Sequence, residues 1–150
     1  MRVLDRHGIS YTDYCLENAE GLSGLEVALS QGEDPSRAYK TLVTVGRSGG
    51  HYVFMIPVAE ELDLKKAARA AGEKNIEMIP SRDLLPLTGY VHGGCSPIGM
   101  KKQFPTFLDA RAEKQERILF SAGKIGRQVE IRPEELRKVI PLGIADLTEE

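Results

Sequence analysis

The chain has 150 residues, 41% of them hydrophobic and 28% charged, with twenty Lys and Arg against twenty-two Asp and Glu. This balance is ordinary for a soluble globular protein and excludes intrinsic disorder, a collagen-like fibre and a protein that coats nucleic acid through bulk positive charge. No window of about 18 apolar residues is available to cross a bilayer.

The start, Met1-Arg2-Val3-Leu4-Asp5-Arg6-His7, breaks off before a signal-peptide apolar region forms. The expectation is a cytoplasmic protein with a single domain over residues 1–150, burying roughly 68–70% of its extended surface. Cys15 and Cys95 lie far apart without CxxC spacing, and His7, His51 and His92 are scattered. That pattern predicts two independent reduced thiols, no metal site and no cofactor.

In chain order, a short N-terminal helix is followed by a strand over Ile9–Leu16 and by a helix carrying Leu22, Leu25, Val27, Ala28 and Leu29, stopped near Gly32. Ala38–Val45 and His51–Ile56 are β-branched and aromatic runs joined by Gly46-Arg47-Ser48-Gly49-Gly50, a hairpin signal. Asp63 caps a helix whose Leu64, Ala67, Ala68 and Ala71 share one face, with Gly72 ending it. A short strand follows at Ile76–Ile79, then one helical turn capped by Ser81 and limited by Pro86.

Beyond the Gly-rich stretch from Gly89 to Gly99, Thr106–Leu108 and Arg117–Ser121 read as strands. The second is joined through Gly123-Lys124-Ile125-Gly126 to Gln128–Ile131 as another hairpin. Pro133 opens a last helix with Leu136, Val139 and Ile140 on one side, before Pro141. The order lacks a regular βαβ cadence and predicts an α+β fold, a mixed sheet with flanking helices.

Lys40 is the first chemical oddity. In Tyr39-Lys40-Thr41-Leu42-Val43-Thr44-Val45 both faces carry apolar residues, so a lysine there snorkels to an edge or lines a cavity. The second is Thr88-Gly89-Tyr90-Val91-His92-Gly93-Gly94-Cys95-Ser96-Pro97-Ile98-Gly99, whose glycines let backbone N–H groups turn toward an anion or a carbonyl oxygen. It is neither a Walker A loop nor GxGxxG. Cys95 stands three residues from His92, but that spacing fixes no sulfur-to-imidazole distance, and a packed thiol is the simpler role. Ser121 ends a strand, where a hydroxyl serves a turn or points into a site.

Together these stretches resemble the YbaK/EbsC family of free-standing aminoacyl-tRNA deacylases, relatives of the editing insertion of bacterial prolyl-tRNA synthetase. The resemblance rests on Tyr39-Lys40-Thr41-Leu42, Leu62 to Ala68, Glu77-Met78, Thr88 to Gly99 with Lys101-Lys102, Ser121 to Lys124, and Val129-Glu130-Ile131. It implies the fold of the YbaK and prolyl-tRNA synthetase-associated domain, with a curved, partly barrel-like sheet. It also implies removal of a wrongly attached amino acid from tRNA, Cys-tRNA(Pro) or Cys-tRNA(Cys) being the expected substrate.

The family's essential lysine lands on Lys40 and its neighbouring threonine on Thr41. Gly93, Gly94, Ser96, Pro97 and Gly99 surround the aminoacyl ester, Gly93 and Gly94 as oxyanion donors, and the family's later serine lands on Ser121. The substrate's own thiol attacks the ester in this branch, so the activity is that of an ester hydrolase, or formally a lyase if the thiol cyclises. Two pocket positions depart from the family: an aromatic after the first strand falls near Leu16, with Tyr14 two residues before, and a Phe falls on Ser23.

The partner implied is the acceptor CCA end of mischarged tRNA, with prolyl-tRNA synthetase as a second candidate and no membrane; a monomer and a weak dimer are both open. Two other readings stand beside this one: a sibling deacylase for Ala or Ser, and a non-catalytic module that docks on tRNA or on prolyl-tRNA synthetase. Charge is segregated along the chain: residues 1–34 carry −5, 35–100 carry +2, 101–132 carry +4 and 133–150 carry −3. The basic block begins at Lys101-Lys102, so any contact with nucleic acid is expected to be local, weak and salt-sensitive.

Overall fold

The computed structural model describes residues 4, 6, 8–15, 37–91, 94–124 and 127–149, the side chains of 13–15 and 124 excepted. The helix expected around Leu22–Leu29 lies outside them. So do the predicted site residues Leu16, Ser23 and Gly93.

The Gly-rich turn makes the expected hairpin. Strands β2 (Tyr39–Gly46) and β3 (His51–Pro57) run antiparallel with Val43 opposite Val53. Gly46 N–H donates to Gly50 O at 2.7 Å to close the turn, which needs the positive φ of Gly49, 92°. β4 (Ile76–Met78) adds antiparallel to the far half of β2. On the other side β5 (Thr106–Asp109) joins β3 in parallel and β8 (Leu142–Ala145) joins β5 in parallel. The five-stranded sheet is therefore mixed, in the order β4-β2-β3-β5-β8.

The remaining strands, β1 (Thr12–Cys15), β6 (Ile118–Lys124) and β7 (Arg127–Ile131), form a separate antiparallel sheet in the order β1-β7-β6. The two sheets touch through one parallel bridge, Ala38 to Leu119. They curve around a shared core without closing into a barrel. That core holds Tyr39, Met55 and Leu108 of one sheet and Ile118, Phe120, Val129 and Ile131 of the other, joined by Ile98 of the Gly-rich loop.

Helix α1 (Leu64–Ala71) forms for local reasons. Asp63 accepts from the N–H groups of Lys65 and Lys66 at 2.9 and 3.1 Å, filling the first turn's orphan donors. Gly72, at φ 73°, lets Glu73 N–H return to Ala68 O, a Schellman stop. Ala67 and Ala68 press on Phe54 and Ile56, covering the opposite face of the five-stranded sheet.

Helix α2 (Ser81–Thr88) is longer than the single turn expected, and its N-cap is Pro80 rather than Ser81. Pro86 costs it one bond, yet the last turn is re-satisfied by Gly89 N–H to Leu85 O at 2.8 Å and by Thr88 Oγ1 to Leu84 O at 2.7 Å. Helix α3 (Pro133–Leu136) is one turn. Among the described residues no helix is long and apolar enough to cross a membrane.

β8 is unexpected from its sequence, because its pairing to β5 is parallel and its Gly143 weakens a strand signal. The glycine is required: a Cβ there would lie 2.9 Å from the Phe107 ring. Asp109, 1% exposed, fastens this edge. Its Oδ1 accepts from Leu147 N–H at 2.9 Å and its Oδ2 from Arg111 N–H at 3.2 Å.

Asp109→Ala strands the buried Leu147 N–H, so urea denaturation should show a loss of about 2–3 kcal/mol, with Asp109→Asn losing less because one acceptor survives. Equal stability of Asp109→Ala and the parent would show that this carboxylate does not hold the edge.

Candidate active site

Alternation along β2 sends Tyr39, Thr41 and Val43 toward the interior and leaves Lys40 and Leu42 on the other face. On β6, Phe120 is interior, so Leu119 and Ser121 share the opposite face. The parallel Ala38–Leu119 bridge puts Lys40 and Ser121 each two residues beyond it, on the same side of their strands. Ser121 is opposite Gln128 of β7, and Gln128 is opposite Tyr14 of β1. Gln128, Ser121 and Lys40 thus make a row on the face turned away from the shared core, which the backbone register continues to Tyr14 of β1.

Three members of that row were singled out from the sequence; Gln128 was not. Its only signal is a polar residue between the apolar Val129 and Ile131 in a strand that looks half-solvated. In the fold it is 8% exposed and its amide oxygen is buried without a partner. A buried acceptor left empty costs about 1–3 kcal/mol, which a bound donor would recover. Lys40 is half-buried, and among the described residues no carboxylate pairs with it. The Ser121 hydroxyl oxygen accepts from Gly123 N–H at 3.2 Å, leaving its proton to donate elsewhere.

The Gly-rich loop approaches from the interior side. Cys95 and Met100 pack on Val43 and Val53, and Ile98 enters the shared core. Tyr90 ties the loop to β6: its hydroxyl donates to Ile98 O, and a Cβ on Gly99 or on Gly123 would come within 2.9 or 3.0 Å of it. Both glycines also hold positive φ, 78° and 107°. Thr88 is the other anchor, accepting from Tyr90 N–H at 3.1 Å while its carbonyl takes Lys101 N–H at 3.0 Å.

These contacts assign some predicted residues to the loop's own architecture. Ser96 is fully buried and its hydroxyl accepts from Ile98 N–H at 3.2 Å, and Pro97 is buried beside it. Gly94 is buried and its N–H donates to Val91 O at 3.0 Å. Thr41 faces this side, away from Lys40, with its hydroxyl buried and unpartnered. Burial pushes the Cys95 thiol up to about 12, against a smaller opposing bond to Thr88. It is a packed neutral thiol and a poor nucleophile. Among the described residues no cluster of His, Cys, Asp and Glu could hold a metal.

The family model of the aminoacyl-tRNA editing domain matches residues 21–139. A curated protein of Enterococcus faecalis, "Putative Cys-tRNA(Pro)/Cys-tRNA(Cys) deacylase EbsC", is 46% identical over 149 residues, covering 99% of this chain and 91% of that one. A crystal structure described as "a putative trans-editing enzyme for prolyl tRNA synthetase" superposes with a TM-score of 0.85 at 25% identity, covering 99% of this chain and 94% of the other. A second, of a hypothetical protein, gives 0.89 at 22% identity over 99% and 97% and shares the fold. With a family model over most of its length and a full-length relative at this identity, the chain belongs to the aminoacyl-tRNA editing domain family.

Proposed function

We propose that this chain is an aminoacyl-tRNA deacylase that clears mischarged tRNA in trans, with Cys-tRNA(Pro), and Cys-tRNA(Cys) beside it, as substrate. The observation that supports the reading is the row Gln128–Ser121–Lys40, which offers an empty buried acceptor, a hydroxyl proton and a cation, while among the described residues no His or carboxylate hydrogen-bonds Ser121 to activate it as a nucleophile. An aminoacyl ester presents the complementary groups: a terminal phosphate, a carbonyl oxygen and an α-ammonium. Lys40 holds the phosphate or the reactive end, Ser121 donates to the carbonyl region, and the Gln128 amide oxygen accepts from the ammonium. Gly94 acts as an oxyanion donor only if its bond to Val91 opens.

With Cys95 a buried neutral thiol and, among the described residues, no base on Ser121, the attacking group comes from the substrate. The cysteinyl thiolate forms a bond to the ester carbonyl carbon, the carbon–oxygen bond to the ribose breaks, and the ribose oxygen takes the proton the thiol gave up. What leaves is free tRNA and a cyclic thioester that water then opens. This chemistry belongs in the cytoplasm beside the synthetase that makes the error, prolyl-tRNA synthetase.

Lys40→Ala should lower kcat/KM for Cys-tRNA(Pro) on the order of 100-fold, about 2.7 kcal/mol, with the circular dichroism spectrum unchanged; near-parental turnover would remove Lys40 from the site. Cys95→Ala should keep turnover within about twofold, since a protonated buried thiol contributes no nucleophile; lost activity in a folded variant would return the nucleophile to the protein.

A panel of mischarged tRNAs separates the readings. The thiol route predicts that Cys-tRNA is hydrolysed while Ser-tRNA survives. Hydrolysis of Ala-tRNA or Ser-tRNA without Cys-tRNA identifies the sibling deacylase, and no hydrolysis at all identifies a binding module.

A further inference from the structure

At the start of the seam between the two sheets, before the strands reach Lys40 and Ser121, lies a cleft of about 160 Å³ lined by Arg37, Gln115, Glu116 and Arg117. Arg37 immediately precedes Ala38, and Arg117 stands two residues before Leu119, the partners of the parallel bridge. The bridge therefore brings to one cleft two arginines that lie eighty residues apart in the sequence.

Arg37 is held in place from below. Its Nη2 donates to Oε2 of Glu130, whose side chain is only 9% exposed, while the Arg37 side chain remains 34% exposed. One nitrogen is thus spent on fixing the fork, and the side chain still lines the cleft. Arg117 is half-buried, and among the described residues its guanidinium makes no ion pair or hydrogen bond. The acidic wall is weak: the Glu116 side chain is 82% exposed and, among the described residues, pairs with Arg132 alone, at 3.9 Å. An incoming anion can displace it and gain Arg132 as a third cation.

We infer that this cleft is a phosphate subsite for the nucleic-acid backbone of the substrate, one step removed from the aminoacyl end. The inference rests on the deacylase reading for the identity of the RNA, and on the cleft alone for the anion. Two arginines, one pre-oriented by a buried carboxylate, make the planar forks that phosphate recognition favours.

Its distance from the reactive row fits. Arg37 precedes Lys40 by three residues and Arg117 precedes Ser121 by four, which at roughly 3.3 Å per strand residue is about 10–13 Å. At about 3.4 Å per stacked nucleotide, that spans three or four nucleotides, the length of a single-stranded acceptor end. The ester lies at Lys40, and the cleft meets the backbone where the stem begins.

The test uses the full chain and an uncharged acceptor-stem RNA, with Kd measured against salt concentration for the parent, Arg117→Gln and the pair Arg37→Gln with Glu130→Gln. Changing Arg37 and Glu130 together avoids leaving a buried unpaired carboxylate. Each variant should weaken binding by about three- to tenfold near 0.1 M salt and flatten the slope of log K against log salt by about one for each phosphate no longer neutralised.

Hydrolysis of a cysteinyl ester of adenosine alone, which cannot reach the cleft, should keep the parental rate in Arg117→Gln. Parental affinity and slope in both variants would overturn the subsite. Weakened binding in the variants, with no turnover of any charged tRNA by the parent, would uphold the subsite and overturn the deacylase reading instead.

Discussion

A single pair of residues, Ala38 and Leu119, sets the geometry on which both the core and the site depend. The first half of β2 has no partner on its β4 side, since β4 reaches only Thr44–Gly46. β6 fills that edge, and the small Ala38 lets Leu119 and Val58 close over the join with Ala38 and Leu119 each 1% exposed. Side chains alternate with period two, so fixing this bridge fixes everything downstream. Tyr39 and Phe120 go inward together, and Lys40 and Ser121 go outward together. A slip of one residue would bury a lysine in the shared core and expose a tyrosine. The register that packs the protein is therefore the same one that puts Lys40 and Ser121 of the candidate row on one face.

The other half of the site is built from steric fit around Tyr90. Its ring occupies the space that side chains at Gly99 and Gly123 would need, and its hydroxyl is satisfied by Ile98 O. This couples the Gly-rich loop to the turn that orients Ser121. Burial, and next the nearby Cys95, raise the Tyr90 hydroxyl above its ordinary range. Burial and then the Asp109 charge raise Tyr39 likewise, against Arg111. Both phenols stay neutral and serve as wedges. Among the described residues the loop thus presents a neutral thiol and a neutral phenol rather than a thiolate or phenolate.

Legibility from sequence followed the range of the interactions. The β2–β3 turn and helix α1 were readable because Gly49, Asp63 and Gly72 act within a few residues of themselves. Lys40 stood out because a charge in a two-sided strand is costly unless it has a use. β8 was hidden because its partner, β5, lies more than thirty residues away and pairs in parallel. The division into two sheets was hidden because it hinges on one bridge of two ordinary apolar residues. Gln128 reads as a solvated strand position until β1 and β6 are placed on either side of it. Ser96 shows the opposite contrast: a hydroxyl in a Gly-rich loop looks exposed, and in the fold it is fully buried, accepting from Ile98 N–H.

Charge shows the same dependence on non-local folding. Along the chain the basic residues of 101–132 form one block, yet the fold divides them. Lys101 lies along Gly89 and reaches toward Pro86 O, and Lys102 sits over the Phe104 ring at 5.9 Å. Arg117 and Arg132 go instead to the start of the β2–β6 seam, where Arg37 joins them from a different segment. A block that suggests one broad basic patch resolves into a small cationic cleft and a separate pair of lysines by the loop. Each is too small to hold a long duplex, since non-specific affinity grows with the number of phosphates neutralised. A cleft of this size meets only about one or two backbone phosphates, which suits a short single-stranded end and keeps the affinity modest and salt-sensitive.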